Sequence, residues 1–323
     1  MTTKEQLLAL LESSKGTYFS GEEIARRLEV SRAAVWKAVN ALRQEGFPID
    51  AVTNRGYCLT QRVDALSSEG ILAHLQKGRD LQVTVLPTVT STNAVLREKA
   101  GQGAAAGSVV VAGQQTAGRG RCGRAFYSPG ETGLYFSVLL RPTRYGPQQI
   151  TRLTAVAAVA LCEAIETVTG ECPGIKWVND LFLHGKKVCG ILTEGAFSLE
   201  NGALEYGILG VGINLYPPKG GFPKELAGIA GSILDKPIPD GRNRLAAEFL
   251  NRFLNYYDAP EKLSYIEAYR RRSLVIGRQV TVLLGSESRS AYVQGIDDSC
   301  RLLVRYENGE TDCLSYGEIS VQL

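Results

Sequence analysis

The sequence has few of the side chains on which many enzymes depend. It contains two histidines, His74 and His184, which gives a histidine-rich metal centre or Ser-His-Asp chemistry little material. Its seven cysteines are odd in number and include no C-x-x-C pair, which argues against a disulfide framework and against a structural zinc site. We therefore expect a reducing, cytoplasmic environment and no protein-bound metal site.

Long apolar runs and a large net charge are also lacking. No apolar stretch approaches the roughly 18 residues of a membrane-spanning helix, so we expect no membrane partner. Lys and Arg together number 36 against 33 Asp and Glu, a net charge of +3, so any binding to nucleic acid must depend on a local basic patch. A hydrophobic fraction of 44% and a charged fraction of 21% indicate a folded globular chain with room for two or three domains.

The N-terminal region has the pattern of three helices and two short strands. Residues 4–12 place leucines on one helical face, and Ser20 with Glu23 predicts a capping box at the start of a second helix. Ser31 is expected to cap a third helix, whose apolar residues recur at i, i+4 and i+7. Residues 47–60 then predict two short strands about an Asn-Arg-Gly turn.

Three helices followed by a β-wing is the order of the winged helix-turn-helix, in which the helix after the turn enters the DNA major groove. Residues 31–43 contain three cations and no acid, which favours contact with phosphates. The residues predicted to contact DNA are Ser31, Arg32, Trp36, Lys37, Asn40 and, in the wing, Arg55. Such folds also serve as plain interaction modules, so that alternative stays open.

Two further regions follow a short linker. From about residue 66 apolar strands alternate with helices, which predicts a mixed α/β body. Near residue 277 the pattern changes to four short strands joined by glycine-containing turns, which predicts a small β-barrel. We therefore predict an α+β protein with domains at residues 1–64, 66–275 and 277–323.

The α/β region contains a loop that combines arginine and glycine. Residues 118–124 read GRGRCGR, so three guanidinium groups stand on a backbone that can approach an anion closely. The glycines fit G-x-G-x-x-G, but a strand pattern follows instead of a helix, and no acidic residue lies between Glu131 and Glu163. The P-loop pattern also fails, because Arg124 and Ala125 stand where Lys and a hydroxyl belong. We expect this loop to be mobile when empty and to close over a phosphate-bearing ligand.

A second group of polar residues lies in a predicted β-hairpin at residues 174–192. Lys176 precedes Asn179 and Asp180, and Lys187 enters the following apolar strand, where its stem can pack while its ammonium group faces one site. Taken in isolation, a lysine pair beside a turn is better explained by a solvent-exposed hairpin tip.

A third group consists of Ser91, Thr92 and Asn93 before a helix, with Gln115 after the next strand. One of the three can be a helix N-cap. Together, these neutral groups can also recognise an uncharged donor and acceptor pair such as a urea.

Taken together, these motifs resemble the bifunctional biotin protein ligases that also act as biotin operon repressors. The resemblance rests on STN at 91–93, GRGRCGR at 118–124, KWVND at 176–180, GKKVCGIL at 185–192 and GVGINL at 210–215, and it covers the whole chain. It implies a ligase core of the kind shared with lipoate ligases and class II aminoacyl-tRNA synthetases, between a winged helix-turn-helix and an SH3-like barrel.

The resemblance also implies an ATP-dependent biotin–[acetyl-CoA-carboxylase] ligase. Biotin and MgATP would give biotinyl-5'-AMP and pyrophosphate, and a lysine of a biotin carboxyl carrier protein would then accept biotin. The same adenylate would act as corepressor, favouring a homodimer that binds operator DNA. This coupling is implied by the family alone.

Individual roles follow from the family's motifs. Lys187 and Arg121 are implied as catalytic residues. The implied biotin-binding residues are Ser91, Thr92, Asn93, Gln115, Arg119, Gly120, Arg121 and Lys187. The implied ATP-binding residues are Arg121, Arg124, Phe126, Lys176, Asn179 and Asp180.

Three residues depart from the family's usual pattern. Val178 replaces a proline, which predicts a less rigid turn before Asn179. Cys122 replaces a common arginine and Phe126 a common tryptophan, so we expect the reaction class to persist while ATP affinity shifts.

Three rival functions are weighed against this one. A lipoate ligase shares the core, but the N-terminal module and the arginine-glycine loop argue for biotin. A sensor without ligase activity would require a broken catalytic set, whereas Lys187, Arg121 and Asn179 are all present. A ligase whose N-terminal module only supports the core is disfavoured by the charge of residues 31–43.

Overall fold

A computed structural model of the chain describes residues 1–60, 64–141, 150–197, 204–259, 263–284, 287–315 and 318–321. The chain forms two compact units. One comprises Met1–Arg79 and Lys236–Glu248, and the other comprises Asp80–Asp235 and Phe249–Leu323.

The first unit contains the winged helix-turn-helix. Its elements are α1 (Thr3–Glu12), α2 (Gly21–Arg27), α3 (Arg32–Gln44), β1 (Ile49–Val52), β2 (Gly56–Leu59) and α4 (Ser68–Ala73). The strands pair antiparallel, with Val52 opposite Gly56. The apolar face predicted for α3 is buried, and its Val35, Val39 and Leu42 pack in one core with leucines of α1.

The helix caps agree with the sequence in one case and differ in another. Ser31 caps α3, because its hydroxyl accepts a hydrogen bond from the Ala34 amide at 3.2 Å. Ser20 likewise accepts from the Glu23 amide at 3.0 Å, but the Glu23 carboxylate pairs with Arg27 at 2.6 Å. The capping box predicted at α2 is therefore only half formed, because an i,i+4 ion pair takes the carboxylate.

A charged network joins α1, α4 and residues 236–248 inside the first unit. The Lys15 ammonium lies 2.6 Å from Glu12 and 2.6 Å from Asp240, while His74 Nε2 lies 2.6 Å from Asp240 and Asn243 donates to it at 2.8 Å. Burial disfavours the charged form of both carboxyls, an effect that by itself would raise the pKa of each. At Asp240 the hydrogen bonds from His74, Lys15 and Asn243 outweigh burial and lower the pKa, whereas the pKa of Glu12 stays raised.

The second unit is built on a mixed sheet. Its elements, with the helix α8 that crosses the unit boundary, are β3 (Gln82–Val89), α5 (Thr92–Gly101), β4 (Ser108–Gln115), β5 (Gly133–Leu140), α6 (Ile150–Thr169), β6 (Gly174–Lys176), β7 (Asp180–Leu183), β8 (Lys186–Phe197), β9 (Leu204–Asn214), α7 (Lys224–Ala227), α8 (Gly241–Tyr257) and α9 (Ser264–Arg272). The sheet order is β3-β4-β5-β9-β8-β7-β6. Strands β3 and β4 are parallel and the other pairs are antiparallel. Every residue of β5 is buried, as expected for a central strand covered on both faces.

The C-terminal part of this unit is an antiparallel sheet. It consists of β10 (Gln279–Leu284), β11 (Glu287–Ile296), β12 (Leu302–Tyr306), β13 (Thr311–Leu314) and β14 (Glu318–Ser320), in the order β13-β12-β11-β10-β14. The sequence predicted four of these strands and missed β14, because three residues are too few to show an alternating pattern. Within the described ranges, no helix combines the length and the apolar character needed to cross a membrane.

We predict that Asp240→Asn lowers the free energy of unfolding of the chain at pH 7 by about 2 to 4 kcal/mol, because it leaves the Lys15 ammonium with one fewer buried counter-charge. The folded-state pKa of Asp240 lies below its ordinary value of 3.8. The carboxylate therefore stabilises the fold fully at pH values above 3.8. This contribution begins to be lost as the pH falls below 3.8 and is lost completely once the pH has fallen through the lower folded-state pKa. Urea unfolding at pH 7 and near pH 3.5 is the measurement. The difference between parent and variant should shrink in acid, and the exposed Asp235→Asn should change stability little at either pH.

Candidate functional site

The second unit contains a cavity that collects the residues predicted for ligand binding. Its walls come from the start of α5, the end of β4, the arginine-glycine loop, the turn after β6, and strands β8 and β9. All the predicted core residues line it: Ser91, Thr92, Asn93, Gln115, Arg119, Gly120, Arg121, Arg124, Phe126, Lys176, Asn179, Asp180 and Lys187. The structure thus brings together groups separated by up to about a hundred positions in sequence, while the role of each residue stays a prediction.

The arginine-glycine loop forms a small hairpin over the cavity. The Gly120 amide donates to the Arg124 carbonyl at 2.7 Å, and the Phe126 amide donates to the Gly118 carbonyl at 2.9 Å. At the tip, Cys122 and Gly123 have φ angles of 53° and 74°. A Cβ atom at Gly118 would lie 2.4 Å from the Phe126 carbonyl oxygen, so this close crossing of two backbones requires glycine. Strand β5 follows the loop, as predicted, in place of the helix of a dinucleotide fold.

A carboxylate and a neutral amide hold two of the cations in the cavity. The Lys187 ammonium lies 2.7 Å from Asp180 Oδ1, and Asn179 donates to the same oxygen at 3.0 Å. Arg121 donates to Asn179 Oδ1 at 3.0 Å. Asn179 and Asp180 therefore link the hairpin tip to strand β8 by hydrogen bonds and an ion pair. Lys187 and Arg121 both line the cavity.

The two neighbouring lysines of the hairpin point to different places, as successive residues of a strand do. Lys186 donates to the Gly228 carbonyl at 2.7 Å, whereas Lys187 lines the cavity with its side chain 29% exposed. The alternative in which both lysines form a solvent-exposed tip does not describe Lys187.

The turn at Trp177–Asn179, which includes a cis Trp177–Val178 peptide bond, is anchored from three sides. The Trp177 indole donates to the Cys300 carbonyl at 3.0 Å, and the Tyr269 hydroxyl donates to the Val178 carbonyl at 3.1 Å. The Asn179 carbonyl accepts from the Ile191 amide at 2.9 Å. Burial raises the pKa of the Tyr269 phenol well above its ordinary value, so it remains a donor. Val178 stands where the family usually has proline, and a less rigid turn was predicted for that reason. These three hydrogen bonds restrain the backbone of the turn instead.

A polar wall lies at the other end of the cavity, and its residues are buried. Ser91, Thr92 and Asn93 are between 3% and 4% exposed. Ser91 occupies the N-cap position of α5, as predicted for one of these three residues, but its side chain makes no capping hydrogen bond. The Thr92 amide donates instead to Gln115 Oε1 at 2.9 Å, and Asn93 donates to Glu194 at 2.6 Å.

Glycines in the central strands leave room for the Phe126 ring. Gly190 of β8 pairs with Gly212 of β9, and a Cβ atom at Gly212 would lie 2.5 Å from Phe126 Cε1. The ring also contacts Tyr135 edge-on, with 6.5 Å between ring centroids. Phe126, which departs from the family's usual tryptophan, therefore packs on the sheet at the cavity.

Several residues of the site were not predicted from the sequence. Ile319 of β14 lines the cavity, and Ser137 and Glu194 contact the polar wall from β5 and β8. The alternating glycines of GVGINL, which expose a flat strand, were the one available signal for Gly210 and Gly212. Across the described ranges, no cluster of three or more His, Cys, Asp and Glu side chains has the arrangement of a metal site.

The predicted DNA-binding residues belong to the first unit, where they lie on α3, at its start and in the turn of the wing. Trp36 is 60% exposed and lies in one surface patch with Lys37 and Asn40. Arg43 belongs to the same patch, yet its guanidinium donates twice to the Ile49 carbonyl, at 2.8 and 2.6 Å, and so ties α3 to the wing. The Arg55 guanidinium lies 4.0 Å from the centre of the Tyr18 ring. Ser31 and Arg32 are exposed at the start of α3.

The fold and the cavity define a ligase core joined to a helix-turn-helix module. Residues 85–214 match the model of the biotin/lipoate A/B protein ligase family, residues 3–58 match an HTH domain, and residues 275–321 match the biotin protein ligase C-terminal domain.

Relatives narrow the assignment further. The chain is 30% identical to the bifunctional ligase/repressor BirA of Escherichia coli K12 over 99% of this chain and 98% of the relative, and 37% identical to that of Bacillus subtilis 168 over 72% and 71%. A biotin protein ligase from Aquifex aeolicus, solved with biotin and ATP, superposes with a TM-score of 0.62 at 28% identity, over 74% of this chain and 97% of that one. The chain therefore belongs to the family of bifunctional biotin protein ligases and repressors.

We predict that Tyr269→Phe lowers the free energy of unfolding by about 1 to 3 kcal/mol, because it leaves the Val178 carbonyl without its buried donor. Urea unfolding followed by circular dichroism measures the effect. Tyr292→Phe, at a tyrosine 36% exposed, is the control and should have a far smaller effect. Equal stability of the two variants would show that Tyr269 does not anchor the turn.

Proposed function

We propose that the cavity of the second unit is the site at which biotin is activated with ATP and transferred to a lysine of a biotin carboxyl carrier protein. The observation that supports this most strongly is the convergence of three polar groups on one cavity: the neutral wall, the arginine-glycine loop and the Lys187 hairpin. The relatives are named ligase/repressors, and the first unit contains the matching helix-turn-helix.

The reaction proceeds in two steps. A carboxylate oxygen of biotin attacks the α-phosphorus of MgATP, which forms biotinyl-5'-AMP and releases pyrophosphate. The neutral amine of the carrier lysine then attacks the acyl carbon. An amide bond forms, the bond between the acyl carbon and the AMP phosphate oxygen breaks, AMP leaves, and the amine nitrogen loses a proton to solvent. In the first step a carboxylate and a triphosphate repel each other, so cations must neutralise charge as it moves to the leaving oxygens.

The residues suit these steps. Lys187 and Arg121 both line the cavity and are bound there to Asp180 and Asn179, so both are placed to contact the reacting carboxylate and phosphate. We assign biotin to Ser91, Thr92, Asn93 and Gln115 at its ureido ring and to Arg119, Gly120, Arg121 and Lys187 at its carboxylate. We assign the nucleotide to Arg121, Arg124, Phe126, Lys176, Asn179 and Asp180. Magnesium enters with ATP as part of the substrate.

The loop has a second use. An acyl adenylate hydrolyses in water, so a loop that closes over it protects the intermediate. We propose that Gly118–Arg124 moves in this way and that the closed form favours a homodimer. Such a dimer would present two copies of α3 to a two-fold operator.

The domain division predicted from the sequence, at 1–64, 66–275 and 277–323, is retained as part of this proposal. The first family model ends at residue 58 and the last begins at residue 275, close to two of these boundaries. We also propose a cytoplasmic location, supported by seven unpaired thiols.

We predict that biotin triggers pyrophosphate release from MgATP, whereas lipoate and octanoate do not. Lys187→Ala should lower that rate by about a hundredfold or more, because it removes a cation from the developing charge. Lys186→Ala is the matched control and should keep the parent rate, since Lys186 contacts a loop carbonyl outside the cavity. Equal rates in all three proteins would exclude the role of Lys187, and an absence of biotin-dependent release would exclude the ligase.

A second prediction concerns DNA. Lys37→Ala should weaken operator binding and lower the slope of log K against log salt by about one unit, because one phosphate contact is lost. Binding is measured by fluorescence anisotropy with biotinyl-5'-AMP present. Lys77, which is exposed on the same unit, supplies a matched Lys→Ala control. An unchanged salt slope in Lys37→Ala would remove this residue from the DNA interface.

A further inference from the structure

The loop before α2 supports the tip of the wing from one side. Tyr18 lies in this loop, and its ring lies against the guanidinium of Arg55, with 4.0 Å between the guanidinium carbon and the ring centre. Tyr18 is half-buried, whereas Arg55 is exposed. A residue outside the set predicted to contact DNA therefore holds a residue inside that set.

The backbone fixes the place of both side chains. Phe19, which follows Tyr18, exchanges two hydrogen bonds of 2.9 Å with Tyr57 of β2. A Cβ atom at Gly56, which follows Arg55, would lie 2.0 Å from the Phe19 carbonyl oxygen, so the two backbones pass in direct contact there. The ring and the guanidinium therefore extend from backbone positions that cannot separate unless these hydrogen bonds break.

An aromatic partner differs from the partners of two other arginines in the winged helix. Arg43 donates to the Ile49 carbonyl, and Arg27 forms an ion pair with Glu23, so both use their N–H donors inside the fold. A ring attracts the cation without cancelling its charge. The contact with the ring therefore restricts the Arg55 side chain and leaves its charge able to attract an external anion.

Restriction of the side chain in the free protein favours binding. An exposed arginine samples many rotamers, and most of this freedom is lost when the guanidinium binds a phosphate. A guanidinium that already lies over a ring has less freedom to lose. The wing tip, residues 53–55, contains this one cation and no acidic residue, so a phosphate that approaches it meets no repulsion from the tip itself.

We infer that Tyr18 is a positioning residue that holds Arg55 in place for a phosphate of operator DNA. The inference rests on the proposed binding of operator DNA by the first unit. It assigns the effect to the aromatic ring and not to the Tyr18 hydroxyl. Phenylalanine should therefore replace tyrosine without loss, whereas a side chain without a ring should not.

The test measures the affinity of the full chain for DNA as a function of salt. The probe is a duplex that the parent protein selects from a random library, and binding is followed by fluorescence anisotropy with biotinyl-5'-AMP present. Arg55→Ala should weaken binding by about tenfold per bound subunit. It should also lower the slope of log K against log salt by about one unit per subunit, because one phosphate contact is lost.

Substitutions of Tyr18 should have a different signature. Tyr18→Leu should weaken binding by about two- to fivefold per bound subunit, with an unchanged salt slope, because the Arg55 cation is still present. Tyr18→Phe is the matched control and should bind as the parent does. In a chain that already carries Arg55→Ala, Tyr18→Leu should have no further effect, because it acts only through the guanidinium.

The outcomes separate this inference from the proposed function. Equal weakening by Tyr18→Leu in the parent and in Arg55→Ala would show a purely structural role and overturn the inference. Equal weakening by Tyr18→Phe and Tyr18→Leu, or full affinity in Arg55→Ala, would also overturn it, although DNA binding itself would stand. If the parent selects no duplex from the library, the proposed operator binding and the inference both fail.

A second variant covers loss of folding. Should Tyr18→Leu lose its thermal transition, Tyr18→Met takes its place, because it also removes the ring while keeping an apolar side chain. Tyr18→Met should weaken binding at an unchanged salt slope, and parent affinity in this variant would overturn the inference.

Discussion

A cavity that attracts anions has to fold before any anion arrives. Several guanidinium and ammonium groups facing one space repel one another, and the repulsion grows as water is excluded. The chain meets this constraint with acceptors from a single motif, because Asp180 holds Lys187 and Asn179 holds Arg121. A neutral amide binds a guanidinium less tightly than a carboxylate does, so the bond between Asn179 and Arg121 is weaker than the ion pair between Asp180 and Lys187. Hydrogen bonds made by Trp177 and Tyr269 fix that motif within the second unit.

Features that depend on neighbouring residues could be predicted from the sequence. The Ser31 cap and the buried face of α3 follow from spacing within one helix. The different directions of Lys186 and Lys187 follow from alternation along one strand. The residues that line the cavity could also be predicted, because they belong to the family's motifs. Composition alone would not have indicated that residue 91 and residue 187 line the same cavity.

Features that depend on contacts between distant parts of the chain could not be predicted from the sequence. Ser91 has the sequence of a cap, but its neighbours Thr92 and Asn93 find partners 23 and 101 positions away, and no local rule anticipates this. Asp240 is likewise an ordinary turn residue in the sequence, yet it becomes the centre of a charged network with Lys15 and His74. In both cases tertiary contacts decide which of several locally acceptable hydrogen bonds is made.

Ile319 is the last of the cavity's lining residues in chain order, so it is the last of them to be synthesised. Chains emerge from the ribosome N-terminus first, at about 5 to 20 residues per second. The core of the winged helix lies within the first 59 residues, although the first unit also includes residues 236–248. The cavity lacks its lining residue Ile319 until β14 is synthesised. For an interval of seconds during translation, a nascent chain therefore has the residues of its helix-turn-helix core before it has every lining residue of the cavity.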